Sequence, residues 1–482
     1  MLIYGESLPA VASKLHVFAF MPILCYESHS MKKSEPRIIL RAGHPISRAM
    51  ISPNALKTLY RLKENGHIAY LVGGCVRDLL LGREPKDFDV ATDATPGMIK
   101  KLFRNCRLVG RRFRLAHLHF RDEIIEVATF RASGADLGQG EPLSPPTAGN
   151  GNLHGVRRIV SEDGVVLRDN VYGSPAEDAL RRDFTVNALA YDIADFSIID
   201  YVGGVEDLKL GLIRTIDDPA ASFTEDPVRM IRAVRFAAIL GFDIEKSAWS
   251  ALVESAPAIT RASAPRLYEE VIKLFLCGEG ERVYQLMRRG GLFAPLFPGL
   301  AGWLDRESDG FPHVRIGRNL EWVDRRIEDG KAVSPPLLFA LLFGEFLEER
   351  VALMRGEGYA PQEAVNASVA WMLGEQSPLV AIPHRTGLII RDILVLQNRL
   401  KRLPGKRPQA VLARPGFSEA LEYLRCRSEV DGEGGKILAW WERFAAENIP
   451  LSADGKEERS HAGRLRRRRR RRRPRAQAEG SD

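Results

Sequence analysis

Between Leu71 and Thr95 the chain reads LVGGCVRDLLLGREPKDFDVATDAT, an order of residues that few folds accept. Ile68–Val72 is apolar and strand-like, and Gly73 and Gly74 turn the chain into a short helix expected over Cys75–Leu81, which Gly82 closes. Pro85 keeps the next segment extended, and Asp87-Phe88-Asp89-Val90 reads as a second strand. Residues two apart on a strand share a face. Asp87 and Asp89 are therefore expected side by side, with Phe88 and Val90 turned into the core. Two carboxylates held that close repel unless cations lie between them, and hard oxygen ligands of this kind suit Mg²⁺ carried in with phosphates. The Gly73-Gly74 turn, just before a helix N-terminus, offers backbone N–H groups to a phosphate.

Taken singly, each half of this stretch has a plainer reading, an ordinary tight turn and a solvated acidic loop. A calcium loop of the EF-hand type is excluded, because its glycine and distal glutamate are missing at their positions. Together, the phosphate cradle and the paired carboxylates make the layout of a nucleotidyltransferase, in which two metal ions clamp the attacking and leaving oxygens. The segment resembles the head motif of the class II family of tRNA nucleotidyltransferases and bacterial poly(A) polymerases. That resemblance implies that Asp87 and Asp89 bind two catalytic Mg²⁺ ions, with Mn²⁺ as the alternative, and that a nucleoside triphosphate is the substrate.

Further along, Ser52-Pro53 is expected to cap a helix whose apolar face is Ala55, Leu56, Leu59 and Leu62, and Pro96–Phe103 to form another. Arg107–Thr129 alternates as strands, and Glu126 lies on the last of them. Glu126 reads either as an exposed edge carboxylate or as a third acid across the sheet from the aspartate pair; the family resemblance favours the second. Residues 133–164 are rich in Gly, Pro, Ser and Asn and read as a mobile loop. In Arg181-Arg182-Asp183-Phe184-Thr185-Val186-Asn187-Ala188, the arginines suit triphosphate oxygens, and Asp183 and Asn187 would share a helix face. A salt-bridged helix start is the plainer alternative. The string resembles the family's RRDFTxNA motif, which implies sugar and phosphate contacts for these residues, and a catalytic part for Asp183. Arg77, on the first short helix, is a further candidate nucleotide ligand. Asp200–Leu208 resembles the family's hinge, its Gly203-Gly204 pair giving dihedral freedom.

Glu225–Ala238 reads as a strong helix, with Asp226 as N-cap and Pro227 first in the helix. Arg229, Arg232 and Arg235 recur every three residues, either as a solvated basic stripe or as ligands. The segment resembles the family's EDxxRxxRAxRFA motif, which implies that it reads the incoming base. A carboxylate accepts from an exocyclic amine and an arginine donates to the neighbouring ring nitrogen. Asp226 and Arg229 would thus favour A and C over G and U, leaving pocket size to choose between A and C. From Lys246 to about Asn448 the periodicity is helical, and the tryptophans Trp303, Trp322, Trp440 and Trp441 read as core or packing residues rather than RNA-stacking ones.

Composition refines this picture. The chain has 482 residues, 45% of them hydrophobic, enough for a large core in two to four domains. The net charge of +8 is misleading, because 454–482 holds twelve Lys/Arg against five Asp/Glu. The rest of the chain is therefore about +1. Arg466–Arg473 is an unbroken arginine run that includes Arg466, Arg467, Arg468, Arg469 and Arg470. Such a block stays disordered, and reads either as a solvated tail or as a binder of RNA phosphates. Five cysteines without CxxC pairing argue for a reducing compartment, the cytoplasm, and against a zinc site. Leu15–Tyr26 is apolar but too short to span a bilayer. No integral membrane segment is expected. The stretch reads as part of an extension ahead of a natural start at Met31, or as a weak leader or membrane-surface segment.

Leu108–His117, LVGRRFRLAH, distinguishes within the family. It resembles the G-[RK]-[RK]-F-x-L element of the poly(A) polymerases, and Arg111, Arg112 and Arg114 add positive charge for a primer or triphosphate. The expected fold is α+β, a polymerase beta-like mixed-sheet nucleotidyltransferase head followed by an all-α neck and body. The expected divisions are a flexible extension over 1–45, a head over 46–203, a neck over 204–290, a body over 291–452 and a tail over 453–482. The expected activity is template-independent addition of AMP from ATP to RNA 3′ ends, with RNA-decay proteins as possible partners. CCA addition to tRNA, or RNA binding by an inactive head, are the alternatives.

Overall fold

The computed structural model describes residues 35–110, 114–132, 159–160, 166–168, 172–306, 313–403 and 407–448. Residues 1–34 of the expected extension, the arginines Arg111, Arg112 and Arg466–Arg473, and most of the 133–164 loop lie outside the described residues.

Ten strands build the N-terminal part: β1 (Arg37–Ile39), β2 (Ala69–Val72), β3 (Asp89–Thr92), β4 (Cys106–Val109), β5 (Leu115–His119), β6 (Ile124–Thr129), β7 (Ile159–Val160), β8 (Val166–Arg168), β9 (Leu189–Asp192) and β10 (Ile198–Asp200). Eight of them form one mixed sheet in the order β1-β10-β9-β2-β3-β6-β5-β4. All its pairings are antiparallel except β3 with β6. One face carries Leu71, Val90, Ile125, Val127, Ala116 and Leu118, all essentially inaccessible. It packs under α1 (Pro53–Glu64), α2 (Gly74–Leu80) and α3 (Pro96–Leu102). Each such Leu, Ile or Val side chain contributes about 1.5–3 kcal/mol when fully buried, which holds the charged residues Asp89 and Glu126 on the opposite face. Ser52 caps α1 as its sequence implies, accepting from Ala55 N.

α4 (Pro175–Leu180) precedes β9, and after β10 the chain is mainly helical, with one short parallel pairing of Leu212–Ile213 with Asp243–Ile244: α5 (Gly204–Leu210), α6 (Pro219–Glu225), α7 (Val228–Leu240), α8 (Lys246–Ser255), α9 (Ala264–Phe275) and α10 (Gly280–Arg289). There follow α11 (Phe293–Leu296), α12 (Pro298–Leu304), α13 (Arg315–Glu328), α14 (Pro335–Gly356), α15 (Pro361–Gln376), α16 (His384–Leu400), α17 (Pro408–Leu412), α18 (Phe417–Asp431) and α19 (Gly435–Asn448). The α+β class is as the sequence implies. Trp303, Trp322 and Trp441 are buried, and Trp440 stacks on Phe444. Among the described residues no helix is long and apolar enough to cross a membrane.

Several local expectations are corrected. Arg37–Ile39 is not free extension: it pairs with β10 at the sheet edge, and Ile46 is fully buried. Asp87 lies in a bend before β3, not on a strand, because the partner strand β2 ends at Val72 and turns away into Gly73. Asp183 and Asn187 do not share a helix. Phe184 is extended and bridges Thr215, so the chain reaches Asn187 through a 3₁₀ turn, Thr185–Asn187. Pro227, not Asp226, occupies the cap position of α7; Asp226 is extended and its Oδ1 accepts from Val228 N. Part of the expected loop, Ile159–Val160, pairs with Val166–Arg168.

The Gly203-Gly204 turn differs in its physical basis. Buried Asp200 accepts from the backbone N–H groups of Val202, Gly203, Gly204 and Val205, and so ties the turn rather than freeing it. Gly203 has φ +83°. Gly204 is required by closeness, since a Cβ there would overlap the Thr185 carbonyl. We expect Gly204→Ala to cost about 1–3 kcal/mol or more by overpacking, read as a lower urea midpoint with the slope unchanged.

Candidate active site

The register of β3 and β6 sets the centre of the site. Their parallel pairing puts Glu126 directly beside Asp89, on the face opposite the helix-covered core. Asp87 enters from the bend two residues before. Burial pushes the Asp89 carboxyl up to about 6, and Asp87 and then Glu126 add to the rise; Arg182 is the charge that opposes it. The cluster therefore holds more negative charge than its protein surroundings balance. Among the described residues no three His, Cys, Asp or Glu side chains gather closely enough to hold an ion by themselves. Two carboxylates and an uncompensated charge fit a hard cation that brings the rest of its oxygen shell with it, as one bound to a triphosphate does.

The turn from Arg181 to Ala188 makes the adjoining wall. Arg182 donates to the Asn187 carbonyl at 3.1 Å and to Asp178 Oδ2 at 3.1 Å. Arg77, only 6% exposed, donates to Asn187 Oδ1 at 2.6 Å. Asn187 in turn donates to Asp183 Oδ1 at 3.1 Å. A Cβ on Gly73 would stand 2.9 Å from Arg182 Nη1, and Gly73 has φ +76°. The glycine thus serves both the turn and the close approach of the arginine. One expectation changes here: the Gly73 N–H is not available to a phosphate, since it donates to the Leu189 carbonyl at 3.0 Å. Gly74 is the first residue of α2.

Asp183 is where the sheet meets the helices. Burial raises its pKa, but Arg232, Asn187 and Arg229 outweigh burial and hold it below its ordinary value. Arg232 donates to Asp183 Oδ2 from Nε at 2.8 Å, with Nη2 at 2.7 Å from the same oxygen. Arg77, Arg232 and Arg235 surround the Phe236 ring at 5.1, 5.3 and 4.7 Å from its centroid. Burial, then Arg232, lower the pKa of Arg235.

Asp226 and Arg229 sit near one another but are already held. Arg229 Nη1 is directed at Ser222 Oγ (2.9 Å), Glu225 Oε2 (3.0 Å) and the Ser222 carbonyl, and Nη2 at the Arg181 carbonyl (3.2 Å). Asp226 is gripped through both oxygens by Arg266, at 2.7 and 2.6 Å. The sequence reading missed Arg266. Its place in the first turn of a Ser- and Pro-started helix, in ASAPRLYEE, marks a well-positioned cation, but its carboxylate partner lies forty residues away. Of the candidate RNA ligands on the sheet side, Arg114 is described, and it is exposed.

These elements match family models along the chain: the poly A polymerase head domain over 69–214, the "probable RNA and SrmB- binding site of polymerase A" over 241–304, and the polymerase A arginine-rich C-terminus over 357–475. Poly(A) polymerase I of Salmonella typhi is 44% identical over 416 residues, 86% of each chain. The chain belongs to the bacterial poly(A) polymerase I family. Like that family it is a nucleotidyltransferase. A CCA-adding enzyme of Bacillus velezensis is 35% identical over 271 residues, 56% of this chain and 62% of its own. The solved CCA-adding enzyme of Bacillus stearothermophilus in complex with CTP superposes with a TM-score of 0.54 at 27% identity, covering 82% of each chain. The CCA-adding enzymes thus share the fold, and the likeness to the poly(A) polymerases extends over more of the chain.

The raised Asp89 carboxyl has a consequence for stability. Its folded pKa of about 6 lies above the ordinary value of 3.8. The folded protein therefore loses stability as pH rises from about 4 through about 6, and carries the full penalty above that. In metal-free protein we expect Asp89→Asn to raise Tm by about 2–4 °C near pH 7.5. Differential scanning calorimetry should show that gain shrinking towards pH 5.

Proposed function

We propose that the chain is a template-independent polynucleotide adenylyltransferase that adds AMP from ATP to RNA 3′ ends and releases pyrophosphate. The observation that carries this reading is the carboxylate cluster of Asp87, Asp89 and Glu126, with its unbalanced charge, beside an arginine-lined turn. Asp87 and Asp89 would hold Mg²⁺, two ions in all, or Mn²⁺ in its place. Bound there, the metal supplies Lewis-acid neutralisation of phosphate oxygens and of the attacking 3′ oxygen. Gly74, Arg77, Arg181 and Arg182 cradle the triphosphate, with Gly73 shaping the turn that lets Arg182 come close, while Asn187 and Asp183 face the ribose. Asp183 stays ionised, because Arg232 holds its pKa low, and so remains an acceptor for a sugar hydroxyl.

Asp226 accepts from the adenine exocyclic amine and Arg229 donates to the ring nitrogen beside it. The partners around both side chains fix their planes before a base arrives. Arg232 and Arg235 brace the Asp183 wall. Arg114, with Arg111 and Arg112, and the Arg466–Arg473 run attract RNA phosphates without reading bases. The chain divides into a head through 203, a neck through 290 and a helical body through 452. It acts in the cytoplasm, and its products feed RNA processing and decay.

The reading is tested by incubating the protein with each nucleoside triphosphate separately, on generic RNA and on tRNA lacking its CCA end. ATP alone should extend generic RNA. Incorporation of CTP confined to the truncated tRNA would replace the reading with CCA addition. Asp87→Asn should lose at least tenfold in rate while RNA binding is kept, since a metal ligand is removed; retained activity would move the metal site elsewhere.

Arg229→Ala should lower kcat/KM for ATP by about tenfold or more and relax the preference for ATP over GTP, because a buried recognition partner is left unpaired. Unchanged selectivity in competition assays would make Arg229 purely structural.

A further inference from the structure

Of the LVGRRFRLAH element, Leu108–Val109 lies on β4 and Leu115–His117 on β5, and the two strands pair at one edge of the catalytic sheet. Its arginines account for only part of the motif. Its last residue, His117, is paired in register with Glu126, and Glu126 is paired in register with Asp89. Arg107 on β4 is the register partner of His117 on the other side. Side chains directly opposite one another across a pair of strands are within contact reach. One row of side chains therefore crosses the sheet from the metal site to its edge: Asp89, Glu126, His117, Arg107.

Within that row His117 Nε2 lies 3.3 Å from Glu126 Oε1. The His117 side chain is 23% exposed and that of Glu126 47%. The imidazole is thus the more enclosed partner, and the carboxylate the more open one. Left to itself, a half-exposed glutamate on a strand samples several rotamers, and its neighbour Asp89 repels it. A ring nitrogen on the side away from Asp89 gives the carboxylate a fixed neighbour there. The His117 ring is itself flanked by that of His119, with centroids 6.4 Å apart.

We propose that His117 is a positioning residue for Glu126, and that the hairpin motif acts on the catalytic site through this contact. This rests on the reading of Glu126 as the third carboxylate of the site. His117 touches neither metal nor nucleotide; it fixes where the Glu126 oxygens stand relative to Asp89. Groups that orient a carboxylate beside a metal site typically matter by about 10–100-fold in metal affinity or activity.

The test uses the full-length protein with Mn²⁺ as the probe, titrated by electron paramagnetic resonance in the presence of a non-hydrolysable ATP analogue. His117→Ala should weaken Mn²⁺ binding about tenfold and raise the Mg²⁺ concentration needed for half-maximal tailing. The KM for ATP at saturating Mg²⁺ and the Tm should stay unchanged. His117→Gln, which keeps a nitrogen donor at similar reach, should recover most of the affinity. Combining His117→Ala with Glu126→Gln should be no worse than Glu126→Gln alone. If Glu126→Gln weakens Mn²⁺ and His117→Ala does not, or if the two effects add, the positioning role is overturned and the reading of Glu126 stands. If Glu126→Gln itself leaves Mn²⁺ binding intact, both fall together.

Discussion

Three carboxylates crowd one end of a sheet whose opposite face is sealed by helices, and the fold holds them there against their mutual repulsion. The apolar residues between them make this possible. Phe88 and Val90 anchor the Asp87–Asp89 segment from below, and Ile125 and Val127 anchor Glu126. A one-residue slip of either strand would expose those side chains and bury the acids. The core thus fixes the register, and the register fixes the charge cluster. The raised pKa of Asp89 is the measure of what that placement costs in the absence of a cation.

The arginines around the cluster are not loose cations waiting for phosphate. Arg77, Arg182, Arg229 and Arg232 each already bond a side chain or carbonyl of the protein. Fixed in this way, a guanidinium has already given up most of its conformational entropy. The Arg266 clamp on Asp226 belongs to the same scheme, since a carboxylate held through both oxygens presents a defined edge to whatever approaches it.

Much of this was legible in the sequence because it follows short-range rules. The glycine turn, the strand periodicity of β2, β5 and β6, the cap of α1, and the helical run after Lys246 rest on neighbours within a turn or a strand. What escaped depends on partners distant in sequence. Whether Asp87 lies on a strand depends on where β2 stops. Whether Asp183 and Asn187 sit on a helix depends on Phe184 bridging Thr215. That Arg37–Ile39 joins the sheet depends on β10, some 160 residues later. Periodicity carries no signal for such pairings. The Gly203-Gly204 pair misled for another reason: glycine permits flexibility and close packing alike, and only the Thr185 carbonyl decides between them.

The helix α7 is fastened to the catalytic sheet's segment at two places. Arg232, near its middle, bonds Asp183. Arg83, on the segment that leads from α2 towards Asp87, donates to the carbonyls of Ile239 and Leu240 at its C-terminus. Phe236, between these points, stacks edge-on against Phe184. The boundary at Gly203 is therefore a division of sequence and not of mechanics. A fragment severed there would strand a buried aspartate without its cation, a phenylalanine without its cover and an arginine without its carbonyls. These contacts tie the stability of the catalytic sheet to that of the helix that follows it.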